Sequence, residues 1–114
     1  MSAFDEIYAR LRAIMIAAAP DMPVTVDEPG NLIVSTPDVD ARTGEPGRFG
    51  SVTVKKTYVA YHLMPMYTDP ALGDGVSEAL AKRRQGKTCF NFKKVDEPLF
   101  AELAVLSRRA GGGG

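Results

Sequence analysis

At the start of the chain the apolar positions Phe4, Ile7, Leu11, Ile14 and Met15 step by three and four. That spacing places them on one side of an α-helix. Ser2 is suited to cap this helix, Asp5 and Glu6 sit in its first turn where the dipole favours acids, and Pro20 stops it. A helix this short is marginal alone, so its stripe must be buried against something else. Pro20-Asp21-Met22-Pro23 follows as a connector, because two prolines so close suit neither a helix interior nor a central strand.

The pattern then changes to strands. Asn31-Leu32-Ile33-Val34-Ser35-Thr36 is short and β-branched, entered through Pro29-Gly30 and left through Pro37. Residues 38–48, with Gly44, Pro46 and Gly47, read as a polar loop. Phe49 to Val54 alternates as a second strand with Val52 and Val54 on one face, and Lys55-Lys56-Thr57 is a tight connection into a third, Tyr58 to Met64. In that strand Val59, Tyr61 and Leu63 point one way and Tyr58, Ala60, His62 and Met64 the other; the first set is more uniformly bulky and is expected to face the core. Pro65 ends the strand, and residues 65–76 form a loop carrying Met66, Tyr67 and Leu72.

Ser77 is an N-cap for a short helix through Glu78 and Ala79-Leu80-Ala81-Lys82-Arg83 that Gly86 closes. Thr88 to Lys93 alternates strictly, sending Phe90 and Phe92 to the core and Cys89, Asn91 and Lys93 away from it. Asp96 caps a last helix in which Leu99, Phe100, Leu103 and Leu106 share a face, with Pro98 in its first turn where a missing N–H costs nothing. The order is helix, antiparallel strands, short helix, strand, helix. Helices at the two ends of a meander pack together on one face of the sheet, an α+β fold in two layers. Residues 1–110 are then a single domain followed by a flexible glycine tail at 111–114. The second sheet face is left open to solvent or to a partner.

Composition fits one such domain: 114 residues, 45% hydrophobic and 25% charged, are too apolar for a disordered chain. No apolar run approaches the roughly 20 residues of a membrane span. The single cysteine, Cys89, excludes an internal disulfide and, with an opening Met1-Ser2-Ala3-Phe4-Asp5-Glu6 that lacks a secretion leader, suggests a reducing, cytoplasmic setting. The formal net charge of zero conceals a division. Residues 1–50 carry eight acids and four bases, whereas residues 51–95 carry three acids and eight bases, a local net of +5. Such asymmetry focuses a field even when the total vanishes.

The candidate chemistry is sparse. His62 is the only histidine, so a two- or three-histidine metal site is excluded. His62 and Cys89 both fall on the outward face, where a basic neighbourhood would be needed to make a reactive thiolate; packed or hydrogen-bonded structural roles are commoner for a lone pair of this kind. Gln85-Gly86-Lys87-Thr88 follows a helix and lacks the glycine-rich cradle of a phosphate loop. Tyr58, Tyr61 and Tyr67 beside Lys55, Lys56, Lys93 and Lys94 have the types needed to stack and neutralise nucleic acid, but the zero net charge and pI near 6.6 disfavour that partner. Met15, Met22, Met64 and Met66 read as core filler.

The run Tyr61-His62-Leu63-Met64-Pro65-Met66-Tyr67, followed by Gln85-Gly86-Lys87-Thr88-Cys89-Phe90-Asn91-Phe92, resembles the YdhG-like family of small bacterial domains of unknown function. The resemblance covers roughly residues 30–107. It implies a frataxin-like α+β fold and, by analogy with frataxin, an iron-chaperone role. That alternative would rest on Asp21, Asp27 and Glu28, scattered after the first helix where frataxins carry a dense acidic ridge.

The expectation that emerges is a binding module without catalysis, cofactor or bound metal. A small anionic ligand or an acidic protein partner is expected on the open face, met by His62, Lys87, Asn91 and Lys93 with Tyr67 as a lid. Met64 and Met66 would supply an apolar wall. A homodimer through that face is compatible with the sequence. A further alternative is a thiol-dependent enzyme using Cys89 and His62.

Overall fold

A computed structural model describes residues 3–39, 44, 46–68, 70–86 and 88–111. The chain begins with helix α1 (Ala3–Ala18) and continues through strands β1 (Val24–Glu28), β2 (Asn31–Val39), β3 (Pro46–Val54) and β4 (Val59–Leu63). One helical turn, α2 (Pro65–Thr68), a 3₁₀ turn (Pro70–Gly73) and α3 (Glu78–Ala81) lead to β5 (Arg84–Gln85), β6 (Cys89–Phe92) and the last helix α4 (Glu97–Ala110). The strands form one sheet in the order β1-β2-β3-β4-β6-β5, every neighbouring pair antiparallel.

Two side-chain contacts identify the covered face. The Tyr61 and Ser107 hydroxyls share a 2.6 Å hydrogen bond between β4 and α4. The Phe92 ring meets that of Phe100 edge-on at 5.2 Å. Val59, Tyr61 and Leu63, the set expected to face the core, are fully buried, and Phe90 and Phe92 lie in the same cluster. From α1 come Ile7, Leu11, Met15 and Ala18; from α4, Leu99, Phe100, Leu103 and Leu106. Each fully buried side chain of this size contributes about 1.5–3 kcal/mol. Both long helices therefore pack on one face, as the sequence pattern implies.

Close approach of α1 depends on Gly50. A Cβ there would lie 2.5 Å from Met15 Cε and 2.5 Å from the His62 carbonyl oxygen. Beside it the ladder slips: β2 advances one residue, from Val34 to Ser35, while β3 advances two, from Gly50 to Arg48. Strict alternation would send Phe49 to the open face. The extra residue, a β-bulge, turns it into the core, where it is 1% exposed.

Several elements depart from the sequence reading. Residues after Pro23 form an edge strand, β1, whose mostly exposed side chains carry no clear alternating signal. Asp27 and Glu28 thus lie on a strand. The hairpin to β2 turns at Gly30, whose φ of 79° favours glycine. Pro37 lies within β2, which extends to Val39, and β3 begins at Pro46, so the expected loop 38–48 is shortened from both ends; positions 40–43 and 45 lie outside the described residues, as does the expected cap Ser2. The expected loop at 65–76 contains helical turns, and Met66 is buried in the core, not lining an open pocket.

Two of the predicted caps, Ser77 and Asp96, are present, whereas Gly86 does not close the short helix: α3 ends at Ala81 with Lys82 as its C-cap, and Gly86, at a φ of 71°, follows the short strand β5. The Ser77 Oγ accepts from Leu80 N–H and Asp96 Oδ1 from Leu99 N–H. Gly111, placed by the sequence reading in the tail, donates its N–H to Ser107 and ends α4. No helix among the described residues is long and apolar enough to cross a membrane.

Candidate functional site

Pairing in the sheet arranges the uncovered face in rows. Ser51 opposes His62, which opposes Cys89, which opposes Gln85. In the next row Thr53 opposes Ala60, which opposes Asn91, and the Asn91 N–H donates to the Arg83 carbonyl at 2.8 Å. One residue beyond the last β4–β6 pair, Val59 with Phe92, stand Tyr58 and Lys93. Period-two alternation puts all these side chains opposite the one that α1 and α4 cover.

His62 and Cys89 are cross-strand neighbours, yet their surroundings oppose nucleophilic chemistry. His62 Nε2 lies 2.9 Å from Thr88 Oγ1 and 3.0 Å from Met64 Sδ. Burial, and then the positive charge of Arg48, lower its pKa below 6.5, so the ring is neutral at pH 7. Burial raises the Cys89 pKa, against a smaller lowering from Lys55. The thiol donates to Asn91 Oδ1 at 3.4 Å. A protonated thiol beside a neutral imidazole is not an activated nucleophile.

A concave feature of this face lies one row away. Where the β3–β4 turn, the end of α3 and strands β5 and β6 meet, a cleft of about 440 Å³ is lined by Thr57, Tyr58, Lys82, Arg83, Gln85, Asn91 and Lys93. Three cations converge there, and none of the described lining residues carries a carboxylate. Lys82, Arg83 and Lys93 form no ion pair with any described residue. Arg10 and Arg12, by contrast, are paired with Glu97 and Asp27. Asn91 Oδ1 is taken by the Cys89 thiol, which leaves the amide N–H groups for another acceptor.

Of the residues singled out in the sequence, Asn91 and Lys93 line this cleft and His62 does not. His62 is instead tied to Thr88, which is 7% exposed and accepts the Leu63 N–H at its carbonyl. Lys87 and the Tyr67 side chain lie outside the described residues. The sequence reading missed Thr57, Lys82, Arg83 and Gln85 as site residues and named Tyr58 only as a stacking candidate. The +5 segment contained the signal, but eight bases spread over 45 positions do not show which three converge.

Two further depressions, of about 200 and 340 Å³, lie against α4. Their floors are mainly apolar, Leu72, Val76, Val105 and Leu106 in one and Ala13, Ile14, Ala17 and Ala104 in the other, without a comparable cluster of polar groups. Among the described residues no three His, Cys, Asp or Glu side chains gather to hold a metal. Asp27 is engaged instead by Arg12, whose Nε donates to Oδ1 at 2.9 Å and holds the carboxyl below its usual range.

Comparison of the chain with protein-family models, with curated proteins and with solved structures returned no match.

Proposed function

We propose that this protein is a non-catalytic binding module and that its ligand is a small anion held in the cleft between Tyr58, Lys82, Arg83, Asn91 and Lys93. The observation that carries this reading is the convergence of three cations, none in an ion pair with a described residue, on a concavity whose described lining carries no carboxylate. Mutual repulsion among three such groups is relieved when an anion enters, and charge-assisted hydrogen bonds are the stronger class. The amides of Asn91 and Gln85 and the hydroxyls of Thr57 and Tyr58 add neutral donors, giving orientation as well as attraction. The runs Tyr61–Tyr67 and Gln85–Phe92 further support kinship with YdhG-like domains, a family without a settled reaction. A thiol enzyme built on Cys89 and His62 loses support because burial works against both charged forms. Iron handling loses support because Asp27 is occupied by Arg12.

Titration with inorganic pyrophosphate at low ionic strength, followed by amide shifts in NMR, tests the reading. Shifts are expected at residues 57–58, 82–85 and 91–93 and are expected to vanish in the Arg83→Glu/Lys93→Glu double variant. Shifts confined to residues 1–50, or unchanged in that variant, would remove the proposal.

A further inference from the structure

Resting on the anion-binding reading, we infer that the cleft takes a phosphorylated compound of mononucleotide size, with its phosphates among Lys82, Arg83 and Lys93 and a flat ring against Tyr58. Charge gives the first argument. Three cations and no described carboxylate suit a ligand with two or more negative charges, such as a diphosphate, better than one with a single charge.

Volume gives the second. About 440 Å³ is far more than an inorganic anion fills, since a water takes about 30 Å³ of liquid volume, and it lies within the range of organic-ligand sites. The remaining space is therefore available to an uncharged part of the ligand.

Tyr58 indicates what that part is. It is the only aromatic residue among those described as lining the cleft, and it is half-buried. Its backbone is pinned because its carbonyl accepts the Lys55 N–H at 2.8 Å in the turn before β4. An aromatic side chain beside cations is the pairing by which proteins stack a base while holding its phosphates. Asn91 and Gln85 carry donors and acceptors that suit a base edge or sugar hydroxyls, and the Cys89 thiol fixes the Asn91 amide by occupying its oxygen. A polymeric nucleic acid is the poorer fit, because the chain's net charge is zero and these cations are gathered at one cleft, not along a track.

Calorimetric titration of the whole chain with pyrophosphate, adenosine, adenosine diphosphate and a single-stranded oligonucleotide separates the two readings. Adenosine diphosphate is expected to bind about tenfold more tightly than pyrophosphate, the gain stacking typically provides. Tyr58→Leu and Tyr58→Phe both remove the hydroxyl and are expected to change pyrophosphate affinity alike. The margin of adenosine diphosphate over pyrophosphate is expected to be abolished in Tyr58→Leu and retained in Tyr58→Phe, and Arg83→Gln to weaken both phosphate ligands. Amide spectra check that each variant is folded. Equal affinities for pyrophosphate and adenosine diphosphate overturn this inference and leave anion binding standing, whereas no binding of either ends both. Adenosine binding as tightly as its diphosphate, or the oligonucleotide displacing the diphosphate at equal concentration, also overturns it.

Discussion

The Tyr61 hydroxyl and the Ser107 hydroxyl meet at 2.6 Å inside the interface between β4 and α4, where both side chains are fully buried. They form a polar pair within an apolar core. Burial pushes the Tyr61 pKa far above its ordinary value, against a smaller lowering by the Ser107 hydrogen bond, so the phenol stays protonated. The contact anchors the terminal helix to a central strand, and its value comes chiefly from what removing one partner leaves behind.

Ser107→Ala strands the phenol oxygen in a water-free setting and is expected to cost about 2–3 kcal/mol. Tyr61→Phe is expected to cost less, about 1 kcal/mol, because a helical serine can turn to the carbonyl one turn back. The double variant should be less destabilised than the two losses added. Urea unfolding of all four proteins checks this; additive losses would show the hydroxyls to be uncoupled.

Gly50→Ala is expected to destabilise the fold by about 1–3 kcal/mol or more, as overpacked cores do. Its new methyl would meet both the end of Met15 and the His62 carbonyl, and the carbonyl belongs to the sheet and cannot swing aside. Pairing with Met15→Ala should recover only the Met15 part. A neutral Gly50→Ala in chemical denaturation would mean that α1 rides higher on β3 than described.

His62 makes stability sensitive to mild acid. Its folded pKa lies below 6.5, chiefly through burial and then through Arg48, so the unfolded chain takes up a proton first as the pH falls. The contribution of the neutral ring is fully present above the unfolded pKa and is lost as the pH drops through the window beneath it. Between pH 7.5 and pH 5 the wild type should therefore lose stability relative to His62→Gln, which cannot titrate there. A constant difference across that range would contradict the burial of the ring.

Cys89 should react slowly. Its thiol titrates above the usual 9.0, mainly because it is half-buried, so little thiolate exists at neutral pH. Alkylation by iodoacetamide is expected to be slower than for a free cysteine and to rise at higher pH. Lys55→Gln should move that rise further upward by removing the opposing positive charge. A reactivity midpoint below pH 8 would restore the case for a nucleophile.

Local pattern determined much of this protein. The stripe Ile7-Leu11-Met15, the alternation from Cys89 to Phe92 and the caps Ser77 and Asp96 are short-range consequences of helix and strand periods. They are legible because each element must bury one face. β1 was not legible, since an exposed edge strand needs no apolar alternation; nor was the inward turn of Phe49, which depends on a slip between two paired strands. The candidate site divides in the same way. That Asn91 and Lys93 leave the covered face follows from counting by two. That they are joined by Lys82, Arg83 and Tyr58, while His62 is drawn aside to Thr88, was decided only when β6 was laid beside β4 and β5 beside β6. Convergence of charges distant in sequence is a property of strand order, and strand order is set by which faces the two long helices can cover together.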